Sequence, residues 1–194
     1  MFLTNNRLAA IGDPAALSAY ATSVRVTTFA LTPQTGIAQG MQPLIGYNAG
    51  RGLVARTERT RVLALRATTL YGTAACLVLL TAADPPAAAF TDDQNAAQTT
   101  AGVLRLIALG FPFAGVTALI ATYFQARGLA RPSFVISIGS VLAVHVPLLL
   151  TFSLLGTPWL WLSFPAAAVL SAAAAMLILR RTHLPERANP RSAP

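Results

Sequence analysis

Residues 14–48 read PAALSAYATSVRVTTFALTPQTGIAQGMQPLIGYN, and two features of this run decide the fold. It is apolar and, at ~1.5 Å per helical residue, more than long enough to cross a ~30 Å hydrocarbon core. Within it Ser18, Thr22, Arg25, Thr28, Thr32, Thr35, Gln39 and Gln42 recur at spacings of three and four residues, which places all eight on one stripe of one helix. An unpaired amide or hydroxyl costs about 2 kcal/mol or more in hydrocarbon, so the stripe faces protein or water rather than lipid. It is read either as the wall of a water-filled cleft or as a set of interhelical hydrogen bonds. Arg25, about three turns inside the span, is an intramembrane charge and for that reason a candidate functional residue.

Working outward, further apolar runs occupy roughly residues 62–83, 101–126, 132–155 and 158–179. Each is long enough to cross, so the spacing predicts an all-α polytopic membrane helical bundle of five full transmembrane helices. Composition agrees: charged residues are 10% of the chain against roughly 25% in ordinary soluble domains. Hydrophobic residues are 55%. A mean hydropathy of +0.59 excludes a disordered chain. A single cysteine, Cys76, excludes a disulfide framework and leaves no metal-binding spacing. Asp13 before Pro14 is an N-cap followed by a proline at the first helical position. Asp84, Pro85 and Pro86 stop the second run, and Gly156 with Pro158 breaks the fourth from the fifth. Pro33, Pro43, Pro112, Pro147 and Pro165 lie inside spans and predict kinks.

The net charge of +8 comes from fourteen basic residues, all arginine, and six acids. They bunch between the apolar runs and do not track one helix face, which argues against nucleic acid and for membrane topology. Arg51, Arg56, Arg59, Arg61, Arg66, Arg127, Arg131, Arg180, Arg181, Arg187 and Arg191, eleven of the fourteen, fall on one side of a five-span alternation. The connection 84–100 on the other side carries Asp84, Asp92 and Asp93 and no base. The positive-inside rule then predicts a cytoplasmic carboxyl terminus, with Trp159 and Trp161 at the outer interface. Because the first full span starts outside, Met1 to about Ala10 is read as the end of a sixth helix that begins inside. Residues 1–181 form the transmembrane lobe, and 182–194 a disordered cytoplasmic tail.

No enzyme constellation is present: no carboxylate pair, no HExxH, no nucleophile with a base, no phosphate-binding loop, and no cofactor motif. Gly36 and Gly40 form a GxxxG spacing, read as helix packing, as are Gly102, Gly110 and Gly115. His145 reads as a satisfied core histidine rather than a proton carrier. RGLVARTERTR at 51–61 suits either an amphipathic segment on an anionic inner leaflet or a simple topology anchor. Arg105 is expected to snorkel toward Asp92 or Asp93.

The segment PQTGIAQGMQPLIGYNAG at 33–50 closely resembles the eighth helix of multidrug and toxic compound extrusion (MATE) transporters. LRLIALGFPFAGVTALIATYFQARG at 104–128 resembles the tenth, and Pro147, Gly156, Trp161 and Pro165 fall as in the eleventh and twelfth. The resemblance covers about Leu3 to Arg181. It implies half of a 12-helix MATE/MOP-type transporter, the second of two six-helix lobes around a cleft, lacking most of its first helix. The implied activity is cation-coupled (proton or sodium) multidrug efflux by alternating access in the bacterial inner (plasma) membrane. Its partners would be amphiphilic cationic small molecules, the coupling ion, the lipid bilayer and a missing or separately encoded first lobe, without which the chain is inactive.

Arg25, together with the resemblance-derived Gln34, Thr35, Gln39, Gln42 and Asn48, forms the expected substrate cleft, with Tyr20, Phe29 and Met41 as apolar walls. The sequence departs from the family pattern around Ser140 and Val141, where arginine-glutamine is usual, and at Ala168, where an acid is often found. Two other classes stay open: a non-transporting membrane assembly or remnant protein, and a lipid-linked saccharide flippase of related architecture. Arg25 alone falls short of the cationic cleft that a flippase needs for pyrophosphate.

Overall fold

The structure is a computed structural model that describes residues 14–88 and 94–183. All regular structure within them is helical: α1 (Pro14–Gly50), α2 (Val54–Thr81), the short α3 (Asp84–Ala88), α4 (Gln94–Ala108), α5 (Phe111–Ala126), α6 (Ala130–Gly139), a π-helical turn (Ser140–His145), α7 (Val146–Ser153) and α8 (Thr157–His183). The amino-terminal helix end expected at Met1–Ala10 and the Asp13 cap lie outside the described residues, as do residues 184–194 of the expected tail. Thr182 and His183, placed in that tail by the sequence reading, close α8 instead.

The five expected spans take differing forms among the described residues. Among the described residues three helical segments are long and apolar enough to cross a membrane: α2, α6 through α7, and α8. A fourth is a bent pair, α4 and α5, with 50° between their axes. The expected third span, 101–126, is that pair; its helix begins earlier and breaks at Leu109–Gly110, just ahead of Pro112. Gly110 suits the corner for a second reason. A Cβ there would sit 3.1 Å from Pro165 Cα and 3.2 Å from Ala168 Cβ of α8. The first helix is the longest, at 37 residues, and runs through Pro33 and Pro43 without interruption. Its polar stripe keeps it from qualifying by apolarity alone.

Two other boundaries move for physical reasons. The segment 51–61, read either as a surface amphipathic segment or as a topology anchor, does not form a helix of its own, because Val54–Arg61 makes the first turns of α2. In the fourth span the kink expected at Pro147 takes the form of the π turn. Proline offers no N–H and its ring crowds the carbonyl four residues back; a widened turn before it relieves both problems. The tight connections follow glycine. At Gly52 and Gly128, φ is 69° and 75°. In each turn the next residue's N–H reaches back five positions, Leu53 to Asn48 O and Leu129 to Phe124 O, both at 2.9 Å, closing the helix end.

α5 stands at the centre, packed by α1, α2, α6 and α8, while α4 packs against α1 and α8. The apolar core is split into two clusters. One joins Tyr20, Leu79, Leu104, Phe111 and Trp161; the other joins Met41, Ile45, Leu119, Phe124 and Leu179. Trp161, expected at an interface, is buried and stacks on Tyr20 at 5.9 Å between ring centroids, whereas Trp159 is exposed.

Candidate functional site

Packing divides α1 lengthwise. Ala19, Tyr20, Val26, Ala38, Met41 and Ile45 are buried against α2, α4 and α5. On the opposite side Ser18, Arg25, Thr28, Thr32, Thr35 and Gln39 are exposed and Gln42 is half-buried; of the stripe, only Thr22 is buried. The polar ribbon thus turns away from the lobe's own core. Its hydroxyls are satisfied in a particular way. Thr28 donates to Val24 O at 2.7 Å, Thr32 to Thr28 O at 2.8 Å, and Thr35 to Leu31 O at 3.5 Å. Each threonine spends its only donor on its own helix and keeps its lone pairs for whatever faces the ribbon. Arg25, with no ion pair among the described residues, is the ribbon's one charge.

The expected cleft residues therefore separate. Arg25, Thr35 and Gln39 share the uncovered face with Gln42 at its margin, while Asn48 is half-buried at the end of α1. Gln34 goes elsewhere. Only 3% exposed, it donates its amide nitrogen to Thr68 O and to Phe111 O, each at 3.0 Å. It sits on the core side of α1, tying α1 to α2 and α5 between the two apolar clusters. Of the apolar walls, Tyr20 and Met41 are also core, and Phe29, at 84% exposure, alone remains beside the ribbon.

The Gln34 side chain fits only because two glycines face it. A Cβ on Gly72 would collide with Gln34 Nε2 and the Phe111 carbonyl, and one on Gly115 with Thr68 Oγ1 and Gln34 Cδ. Gly36 and Gly40, by contrast, have open space where a Cβ would stand, so the expected GxxxG packing is not made among the described residues.

A second polar feature lies between α5, the π turn and α8: a cavity of about 330 Å3 lined by Thr117, Ser137, Ser140, His145 and Ser171 among alanines. His145 Nδ1 lies 2.9 Å from Ser140 O. Because a carbonyl only accepts, that nitrogen carries a hydrogen, and Nε2 is the one left for other partners. His145 is exposed, which corrects its reading as a core residue. The buried hydroxyls of Thr117 and Ser171 have no partner among the described residues. Ser140 and Ala168, two of the positions where the sequence departs from the family pattern, both line this cavity.

At the glycine-turn end of the lobe, Tyr123 donates to Glu58 Oε1 at 2.7 Å and accepts from Arg127 at 3.1 Å. The guanidiniums of Arg61 and Arg127 each lie 5.6 Å from its ring centre, and Arg61 pairs with Glu58. No sequence motif marks this cluster. Near the opposite end Arg105 pairs with Asp84 at 2.8 Å. The expected partners Asp92 and Asp93 lie outside the described residues.

Membrane-length helices around a central α5, with one polar ribbon turned from the shared core, define one lobe of a multi-pass membrane protein. The MatE family model matches residues 1–151, and the chain belongs to the MATE family of transporters. Its fold is similar to that of the Vibrio cholerae MATE transporter VcmN in the bent form, with a TM-score of 0.86 at 20% identity, over 93% of this chain and 41% of that one. An outward-facing multidrug resistance MATE transporter of the MOP superfamily gives 0.87 at 19% identity, over 94% and 42%. A MOP superfamily transporter from Pyrococcus furiosus, described as having a binding pocket of reverse polarity, gives 0.83 at 20%, over 94% and 42%. The chain therefore spans about two fifths of the solved transporters' length. Curated protein sequences give no match.

Proposed function

We propose that this chain is the second lobe of a cation-coupled multidrug efflux antiporter, and that the ribbon of α1 is its wall of the central cleft. The carrying observation is the direction of that ribbon: Arg25, Thr28, Thr32, Thr35 and Gln39 are exposed on a helix whose other side is core. A face with this much polarity is stable in a membrane only against water or another polar surface. With the threonine donors spent internally, the ribbon offers mainly oxygen lone pairs and amides, a surface suited to ammonium-bearing amphiphiles. The ribbon holds no acid. The proton or sodium ion is accordingly bound by the first lobe, and alternating access consists of the two lobes rocking about the cleft. The location is the bacterial inner membrane with the carboxyl terminus cytoplasmic, as the arginine distribution supports.

Transport of an anionic, lipid-linked cargo is the second reading; Arg25, the ribbon's one charge, is the observation on its side, although a single guanidinium falls short of the cationic cleft such a cargo needs. Co-expression with a matching first lobe in an efflux-deficient host decides between them. Restored resistance to cationic dyes, absent with the chain alone, supports antiport. Resistance from the isolated chain, or none from the pair, refutes it.

A further inference from the structure

α2 carries a feature that neither its packing nor the cleft uses. Its outward side presents Leu63, Leu70 and Leu77 seven residues apart, 67%, 74% and 57% exposed, an apolar strip that suits acyl chains. Into this apolar strip are set two exposed arginines, Arg59 and Arg66, also seven residues apart and so about 10 Å from each other along one face. Between them lies a groove of about 420 Å3 lined by Glu58, Arg59, Val62, Leu63 and Arg66. Neither Arg59 nor Arg66 has an ion pair among the described residues. The adjacent acid, Glu58, is already engaged by Arg61 and Tyr123.

Depth makes this arrangement specific. With Thr81 at one hydrocarbon boundary, Arg59 lies about 33 Å away, level with the opposite headgroups, while Arg66 lies about 22 Å away, inside the ~30 Å core. A guanidinium facing lipid at that depth is costly unless an anion comes to it. A soluble anion has no use for the Val62 and Leu63 floor, and a zwitterionic headgroup brings a cation of its own to an already basic rim.

We infer that Arg59, Val62, Leu63 and Arg66 form a binding site for one anionic phospholipid. Its phosphate is shared by the two guanidiniums, and an acyl chain lies along Val62, Leu63 and Leu70. The site needs only that α2 spans the membrane and is independent of the transported cargo.

Native mass spectrometry of the full chain, loaded from mixed phosphatidylglycerol and phosphatidylcholine vesicles, tests this. The chain is expected to retain one phosphatidylglycerol in preference to phosphatidylcholine by on the order of tenfold, the gain that two basic groups offer an anionic headgroup. Arg59→Gln with Arg66→Gln should abolish the preference, and Arg180→Gln with Arg181→Gln should leave it intact. Equal retention of the two lipids, or an equal loss in both double variants, overturns the inference. Leu63→Trp in the otherwise native chain keeps the test open if the double variant fails to fold. Brominated phosphatidylglycerol should quench the added tryptophan fluorescence several-fold more than brominated phosphatidylcholine, and equal quenching overturns the site. Displacement of the lipid by a poly-glutamate peptide would assign the groove to an acidic protein partner instead.

Discussion

The side-chain nitrogen of Gln34 donates to the backbone oxygen of Phe111 at 3.0 Å, where α5 resumes after its break from α4. The same nitrogen reaches Thr68 O of α2, so one amide ties three helices at the level where the apolar core divides. Both of its hydrogens are used, and each accepting carbonyl belongs to a backbone that cannot turn away.

Replacing this amide separates geometry from polarity. Gln34→Leu keeps the volume but loses both donors, and the expected cost is about 1–3 kcal/mol. Gln34→Glu should be worse near neutral pH, because a carboxylate directs only acceptors at two carbonyls in a buried site. Thermal unfolding in detergent at pH 7 checks the order: wild type, then leucine, then glutamate. A glutamate variant as stable as wild type at pH 7 would mean that the clamp is not formed.

The two glycines around Gln34 make different predictions, although each alanine variant should cost ~1–3 kcal/mol through overpacking. At Gly115 the obstacles are the ends of side chains, those of Thr68 and Gln34; at Gly72 one obstacle is the Phe111 backbone carbonyl. Adding Gln34→Ala and Thr68→Ala should therefore recover part of the loss in Gly115→Ala and little of that in Gly72→Ala. A mutant cycle by denaturation midpoint measures the difference. Equal recovery at both positions would show that the clash with the Phe111 carbonyl is absorbed.

Much of the lobe was legible in the sequence. Breaks were marked by Asp84 with Pro85 and Pro86 and by Gly156 with Pro158, and the ribbon by its three-and-four spacing. Gln34 was legible too, since it stands about 100° around the helix from Thr35, off the stripe; grouping it with the cleft followed the family motif against that geometry. The π turn was not legible, because where a helix widens ahead of Pro147 depends on what packs around it. Nor were the pairs Tyr123–Glu58 and Arg105–Asp84, whose partners lie 65 and 21 residues apart and meet only once helices have packed. The kink expected at Pro112 was legible and is found at the break just ahead of it, but the 50° between α4 and α5 was not, because it depends on how the helices pack.

Tyr123 is fully buried, yet its hydroxyl bridges a carboxylate and a guanidinium while two guanidiniums approach its ring. Tyr123→Phe retains the ring contacts and removes the bridge. Hydrogen bonds to charged groups contribute ~1.5–3 kcal/mol, so the unfolding midpoint should fall by several degrees. Glu58→Gln in the phenylalanine background should add little, because much of the Glu58 contribution passes through the hydroxyl. Strict additivity of the two changes would show that the hydroxyl bridge contributes nothing beyond the Arg61–Glu58 pair.

The ribbon itself is tested in the assembled pair of lobes, with Cys76→Ala removing the native thiol. Cysteines at Thr28, Thr32, Thr35 and Gln39 should react with a water-soluble thiol reagent, and cysteines at Ala38 and Met41 on the buried side should not. Gln39→Leu should lower transport by about tenfold, the equivalent of one polar contact, without reducing membrane insertion. Gly36→Ala should leave the stability of this chain unchanged, since open space stands where its Cβ would go. If it lowers transport in the pair, the first lobe closes against that position. Unreactive ribbon cysteines with unchanged transport in Gln39→Leu would instead mean that these threonines and glutamines meet another helix, and that the aqueous path runs along a different face of the lobe.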